Sequence, residues 1–180
     1  SMITNTGSGT LTQSGNITGA FPLTFGGTAG ITMSGNITTT GITVTKNGSN
    51  TLIYSGANGY TGLTTINAGT LQYGAINNIA GAVTITGGTY DTASYTDTVG
   101  AVIMIGGTIT DSVGGGTLTA TSYTVESGTI GAVIAGAVTM TKNTKGTLTV
   151  TGYTTYSGAT AIDGGTIVLS GANGGIEAST

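Results

Sequence analysis

Along most of the chain apolar side chains alternate with threonine or another polar residue in short runs. They read ITVT at 42–45, LIY at 52–54, TTI at 64–66, TLQY at 70–73, AVTIT at 82–86, AVIMI at 101–105, TLTAT at 117–121, YTVE at 123–126, TLTVT at 147–151 and TIVLS at 166–170. A period of two marks a strand with one face turned inward, and threonine and the β-branched aliphatics favour that state. Glycine pairs close the runs, as in GGT at 87–89, 106–108 and 164–166. The pattern therefore predicts many very short strands joined by tight turns, and no helix.

The turns recur. Counted on the last glycine before each threonine, from Gly88 to Gly165, the intervals are roughly 19, 21, 18 and 19 residues, a period that signals a repeat architecture. A longer unit agrees with it. Residues 51–72, TLIYSGANGYTGLTTINAGTLQ, return without a gap as TLTVTGYTTYSGATAIDGGTIV at 147–168, with VTKN at 44–47 answered by MTKN at 140–143. SGNIT occurs at 14–18 and again at 34–38, and LSGANGG at 169–175 echoes IYSGANG at 53–59. One coil cannot bury enough apolar surface to offset the ordering of its own backbone, so coils must stack and share their cores. The predicted fold is all-β: one right-handed parallel β-helix, or β-solenoid, of roughly nine coils of about 19 residues over 1–180. Ser1-Met2 reads as a cloning scar ahead of a fragment. Phe21, Pro22 and Phe25 read as a local variation of one coil that covers an end of the stack, with Pro22 at an edge or bend. Asn58, Asn67, Asn77 and Asn78 suit left-handed corner positions.

Composition narrows the function. Three lysines and no arginine, with a net charge of −3, exclude the phosphate neutralisation on which nucleic-acid binding rests, and leave no basic face for an anionic membrane. At 37% hydrophobic the chain is too apolar for disorder. No run is long enough to span a bilayer, so direct membrane insertion by this segment is not expected. The lack of cysteine fits export without disulfides.

The unit at 51–72 resembles the passenger-associated repeat of bacterial autotransporters, through Leu52, Ser55, Gly56, Asn58, Tyr60, Gly62, Thr64, Ile66, Gly69 and Leu71. The second copy keeps Leu148, Gly152, Tyr156, Gly158, Thr160, Ile162, Gly165 and Ile167, but has Thr151 for the serine and Thr154 for the asparagine. The resemblance implies a right-handed parallel β-helix within a secreted or surface-displayed passenger, anchored in the outer membrane by a barrel outside this sequence. It also implies a repeat that aids secretion and folding and carries no active site. A stalk or adhesin segment is the expected role, with a host or matrix surface or other copies of the chain as partners, and no cofactor.

The chemistry on offer is sparse. Without histidine or cysteine there is no nucleophile and base pair of the triad kind and no thiolate or imidazole metal site. A carboxylate pair acting on a polysaccharide would need turns that bring Asp91, Asp97 and Asp111 together; Asp91 and Asp111 lie about one coil apart and could stack, which would raise one pKa or attract Ca²⁺, and the plainer reading is that each caps a turn. Tyr60 and Tyr156, equivalent in the repeat, either form a sugar-stacking stripe or pack at the corner of their own coils. Asn16, Asn36 and Asn47 head N-x-S/T triplets, which a threonine-rich chain produces by chance. The alternative functions are self-assembly into a surface filament through open solenoid edges, and ice binding on T-x-T pairs. The register test for ice binding maps Thr119 and Thr121 onto Thr139 and Thr141, but Thr84 and Thr86 onto Ile103 and Ile105, which breaks the ladder.

Overall fold

The structure, a computed structural model, describes residues 1–76 and 79–176. No helix occurs among them. Every named strand pairs in parallel, and the strands form three sheets, two that run the length of a solenoid and a third along its later coils. The first sheet holds nine strands, from Met2–Asn5 to Thr160–Ile162, and the second nine, from Leu11–Gln13 to Thr166–Leu169. The third holds five, from Asp97–Thr98 to Gly175–Ile176. Each coil contributes one strand to each of the first two sheets, so there are nine coils. In the first sheet the sequence offset between register partners varies from 17, Thr124 to Thr141, to 22, Met2 to Thr24. The two long copies sit five coils apart, in coils 3 and 8.

Alternation decides what faces inward. In the first sheet Val44 and Lys46 are buried while Thr45 between them is half-buried, and Val83, Ile85, Val102 and Met104 repeat the pattern. In the second sheet Ile31, Leu52, Leu71, Tyr90 and Ile109 stack in register through coils 2 to 6. Stacking identical positions at the ladder spacing of about 4.8 Å is what lets a strand of three residues contribute to a continuous core.

The third side changes character along the stack. In coils 1 to 3 it is loop, with a bridge between Ile17 and Ile37; from coil 5 it becomes a sheet. This sheet corrects the expected threonine register. Thr119 pairs with Ala135 on the third side, whereas Thr141 lies in the first sheet beside Thr124, so a jump of one coil length does not connect the pairs. The other half of that expectation holds, since Thr84 pairs with Ile103.

Two further expectations are corrected. Phe25 does not cover an end: it is buried inside the second coil, edge-on to Tyr54 with ring centroids 6.4 Å apart, while Phe21 is exposed. Asn58 and Asn67 do not take left-handed corners. The non-glycine residues with positive φ among those described are Ala93, Ser94 and Thr144. Asn58 and Asn67 act through their side chains instead: Asn58 Oδ1 accepts from the Ile37 N–H at 2.8 Å and Asn67 Nδ2 donates to Asn47 Oδ1 at 2.8 Å. Asn77 and Asn78 lie outside the described residues.

Candidate functional site

The two related coils are built around a buried lysine. Valine, threonine and lysine at 44–46 alternate in, out, in, so the side chain of Lys46 enters the core, where it is fully buried. Its Nζ donates to the carbonyl oxygens of Asn47 at 2.9 Å, Gly48 at 3.0 Å and Ala68 at 3.2 Å, and to Asn50 Oδ1 at 2.9 Å. Asn50 Nδ2 donates onward to the carbonyl of Ala29 at 2.9 Å. One ammonium thus closes the turn of its own coil, reaches forward to coil 4 and, through Asn50, back to coil 2. Lys142 repeats the arrangement in coil 8, donating to the carbonyls of Asn143 at 2.8 Å, Thr144 at 2.9 Å and Gly164 at 3.1 Å, with Gly146 where Asn50 would stand. Burial lowers the Lys46 ammonium to about 8. Replacing it with a hydrocarbon would remove that desolvation cost but leave four acceptors without their donor, at roughly 1–3 kcal/mol for each one buried. Lys46→Met is therefore expected to lower the urea midpoint by the equivalent of about 3 kcal/mol or more at unchanged m, with the exposed Lys145→Met within about 0.5 kcal/mol of the parent. A neutral Lys46→Met would show that the ammonium does not hold the turn.

The motif glycines serve the same construction. Gly69 and Gly165 have φ of 65° and 76°, and a Cβ on either would stand 2.7 Å or 2.6 Å from the lysine Nζ of its unit. Gly62 and Gly158 leave room for the carbonyl of the preceding coil; a Cβ would lie 2.0 Å from Ile42 O and 2.2 Å from Val138 O. Gly56 is equally confined, a Cβ there standing 2.4 Å from Gly35 O. Leu52, Thr64, Ile66 and Leu71 are buried, and Ser55 is half-buried at a corner. Ile162 holds the register of Ile66 but is 58% exposed, since no further described coil stacks on it.

Tyr60 and Tyr156 lie inside the coils and form no external stripe. Their hydroxyls pair with Thr64 Oγ1 at 2.8 Å and Thr160 Oγ1 at 2.5 Å, and burial pushes the Tyr60 phenol up to about 12. The departure of Thr154 from asparagine has a structural counterpart. In coil 3, where the third side is loop, the Asn58 side chain supplies the acceptor for the Ile37 N–H that a neighbouring strand would otherwise provide. In coil 8 the third side is a strand, Tyr153–Thr154, whose backbone pairs with Ile134, and the threonine hydroxyl needs only to donate to the Gly175 carbonyl at 2.7 Å.

The acids also turn inward on their own loops. Asp91 Oδ1 accepts from the N–H groups of Ala93 at 3.0 Å and Ser112 at 2.9 Å, and its Oδ2 from Gln72 Nε2 at 2.7 Å. Asp111 accepts from the N–H groups of Ser94, Gly114 and Gly116 at 2.6–3.0 Å, which holds its carboxyl below the usual range despite partial burial. The two carboxylates brace adjacent loops, and their oxygens are engaged by donors. No group of three or more acidic side chains suited to a metal ion occurs among the described residues.

A family model, the passenger-associated-transport-repeat, matches residues 44–72 and 140–169. Two stretches of this solenoid are thus similar to the passenger-associated transport repeat. Neither the curated proteins nor the solved structures contain a match. Each repeat begins two residues before its core lysine and runs through one full coil into the first two strands of the next. Two such repeats within a parallel β-solenoid are consistent with an autotransporter passenger β-helix.

Sequence reading missed the lysines, which it met only as flanking letters, although the alternation of VTK and MTK already turns them inward. It met Asp97 only as a possible partner of Asp91 and Asp111, whereas its carboxylate accepts from Tyr73, which pairs with Tyr90, in the core. Finally, it missed a column of six threonines in register on the outer face of the second sheet, Thr51, Thr70, Thr89, Thr108, Thr129 and Thr149.

Proposed function

We propose that this chain is a non-catalytic structural segment of a secreted or surface-displayed autotransporter passenger, a stalk that helps the passenger fold and presents a binding surface. The observation that supports this reading is where the repeat residues go. Leucine, tyrosine, threonine and isoleucine of the first unit are buried, its glycines allow coils to approach, and its lysine fastens turns, so the motif is spent on building the coil. Recognition then falls to the loops and outer faces, toward a host or matrix surface or other copies of the chain. Protease shaving and antibody labelling of intact source cells test the location: the protein is expected outside, in one reading frame with a membrane barrel. Recovery from the cytoplasm would refute the reading. Turnover of a bacterial or plant polysaccharide, lost in Asp91→Ala or Asp111→Ala, would refute the non-catalytic part.

A second reading, ice binding, is favoured by the six-threonine column. Against it, the column two positions along the strands contains Ile53, Gln72, the buried Asp91 and Thr110, so paired threonines do not recur from coil to coil. Thermal hysteresis at micromolar protein would support it, and none is expected. Association with other copies is checked by light scattering against concentration.

A further inference from the structure

We propose that Tyr90, Tyr73 and Asp97 form a one-electron oxidation site, at which an oxidising radical takes an electron from Tyr73 while Asp97 takes its proton. The three residues meet in the core where the third sheet begins, and all are buried. The Tyr73 hydroxyl donates to Asp97 Oδ2 at 2.5 Å. Its oxygen accepts from the Tyr90 hydroxyl, and the two rings stand edge to face with centroids 5.5 Å apart. Asp97 is fixed by the Ile79 N–H on Oδ2 at 3.2 Å and the Thr98 N–H on Oδ1 at 2.8 Å.

The chemistry follows from composition and geometry. The chain has no tryptophan and no cysteine, so electron holes fall to tyrosine and to its four methionines. Removing an electron from a phenol makes its proton strongly acidic, so the loss is easiest where a base already holds the hydrogen bond. Tyr73 has a carboxylate there, whereas Tyr60 and Tyr156 face threonine hydroxyls and Tyr123 donates to the carbonyls of Leu118 and Ala135. Hydroxyl and carbonyl oxygens accept a hydrogen bond but do not keep the proton. The step balances as Tyr73 phenol, Asp97 carboxylate and oxidant giving Tyr73 phenoxyl radical, Asp97 carboxylic acid and reduced oxidant. Tyr90 continues to donate to the phenoxyl oxygen, and burial keeps the radical from coupling with a second one.

Azide radicals generated in a solution of the whole chain, followed by freezing and electron paramagnetic resonance, test the proposal. A tyrosyl signal with exchangeable-hydron couplings, reduced on transfer to D2O, is expected. It should be lost in Tyr73→Phe and in Asp97→Asn and kept in Tyr60→Phe, each variant first shown to be folded by circular dichroism. The same signal in both Tyr73→Phe and Asp97→Asn would overturn the proposal. If either variant does not fold, the unmodified protein decides, since a radical without exchangeable couplings would overturn it equally.

Discussion

Raising the pH above 10 is expected to unfold the chain in one cooperative step, in which phenolate absorbance appears together with the loss of β-structure. Tyr54, Tyr60, Tyr73, Tyr90, Tyr123 and Tyr156 all have phenols raised above the ordinary value of 10.0, with desolvation by burial the first cause of each shift. A raised folded pKa contributes stability that is fully present below the unfolded value and is lost as pH climbs from there toward the folded one. Each tyrosine that ionises in the unfolded chain and stays neutral in the folded one lowers stability by about 1.4 kcal/mol per pH unit, so six acting together approach about 8 kcal/mol per unit. That is comparable with the whole stability of an ordinary domain, about 5–15 kcal/mol. Lys46 works the other way. Its folded pKa, about 8, lies below the unfolded value of 10.5, so the unfolded chain binds more protons between these values and stability rises with pH there. A shallow rise from pH 8, then a steep fall beyond 10, is the expected profile from denaturant melts at successive pH values. Native circular dichroism that persists after most of the phenolate absorbance has grown in would show that these six tyrosines are not buried as described.

The coil was legible because two independent periods coincide: alternation of two within each strand and the glycine turns near 19 between them. Both are written in residue types, and LIY at 52–54, TTI at 64–66 and AVIMI at 101–105 fall where strands occur. The third side was harder to read. Strands such as Asp97–Thr98 and Tyr153–Thr154 have two residues, too few for alternation to show, and their existence depends on the neighbouring coil offering a partner. The threonine columns were misassigned for a related reason. Counting one coil length assumes constant coils, whereas the offsets in the first sheet vary by five residues between 17 and 22, enough to move Thr119 to a different side from Thr139. Polar residues in the core were hidden by a sound rule misapplied: a lone lysine in an alternating run usually faces water. In a solenoid the turn carbonyls point inward at the corner and can surround an ammonium, so the inward parity of Lys46 and Lys142 outweighs the residue type. Asp97 gave no such sign, because its role depends on Tyr73 from the preceding coil, 24 positions earlier.

Gly62→Ala should destabilise the solenoid by about 3–5 kcal/mol, far more than one methyl group ordinarily costs, because the obstacle is backbone. A Cβ at position 62 would stand 2.0 Å from the carbonyl oxygen of Ile42, and one at Gly81 in the next coil 2.1 Å from the carbonyl of Gly62. A flexible side chain could swing aside from such a contact. A carbonyl in a stack of coils cannot, since the ladders of the first two sheets fix the coil spacing at about 4.8 Å on either side of it. Relief must come from parting coils 2 and 3 locally, with loss of the Asn58 and Ile37 hydrogen bond and exposure of Tyr60. Gly59 is the matched control, in the same loop of the same coil, with nothing within 4 Å of an added Cβ and no positive φ recorded. Gly59→Ala should stay within about 0.5 kcal/mol of the parent or gain slightly from a less flexible unfolded chain. At roughly 2–4 °C per kcal/mol for a chain of this size, Gly62→Ala should melt about 10 °C lower. Because coils hold only their neighbours, the loss should also uncouple coils 1 and 2 from the remainder, giving a second, earlier transition in a calorimetric scan. Equal melting of Gly62→Ala and Gly59→Ala would mean that the coils do not approach as closely at this corner as the contacts at Gly62 and Gly81 require.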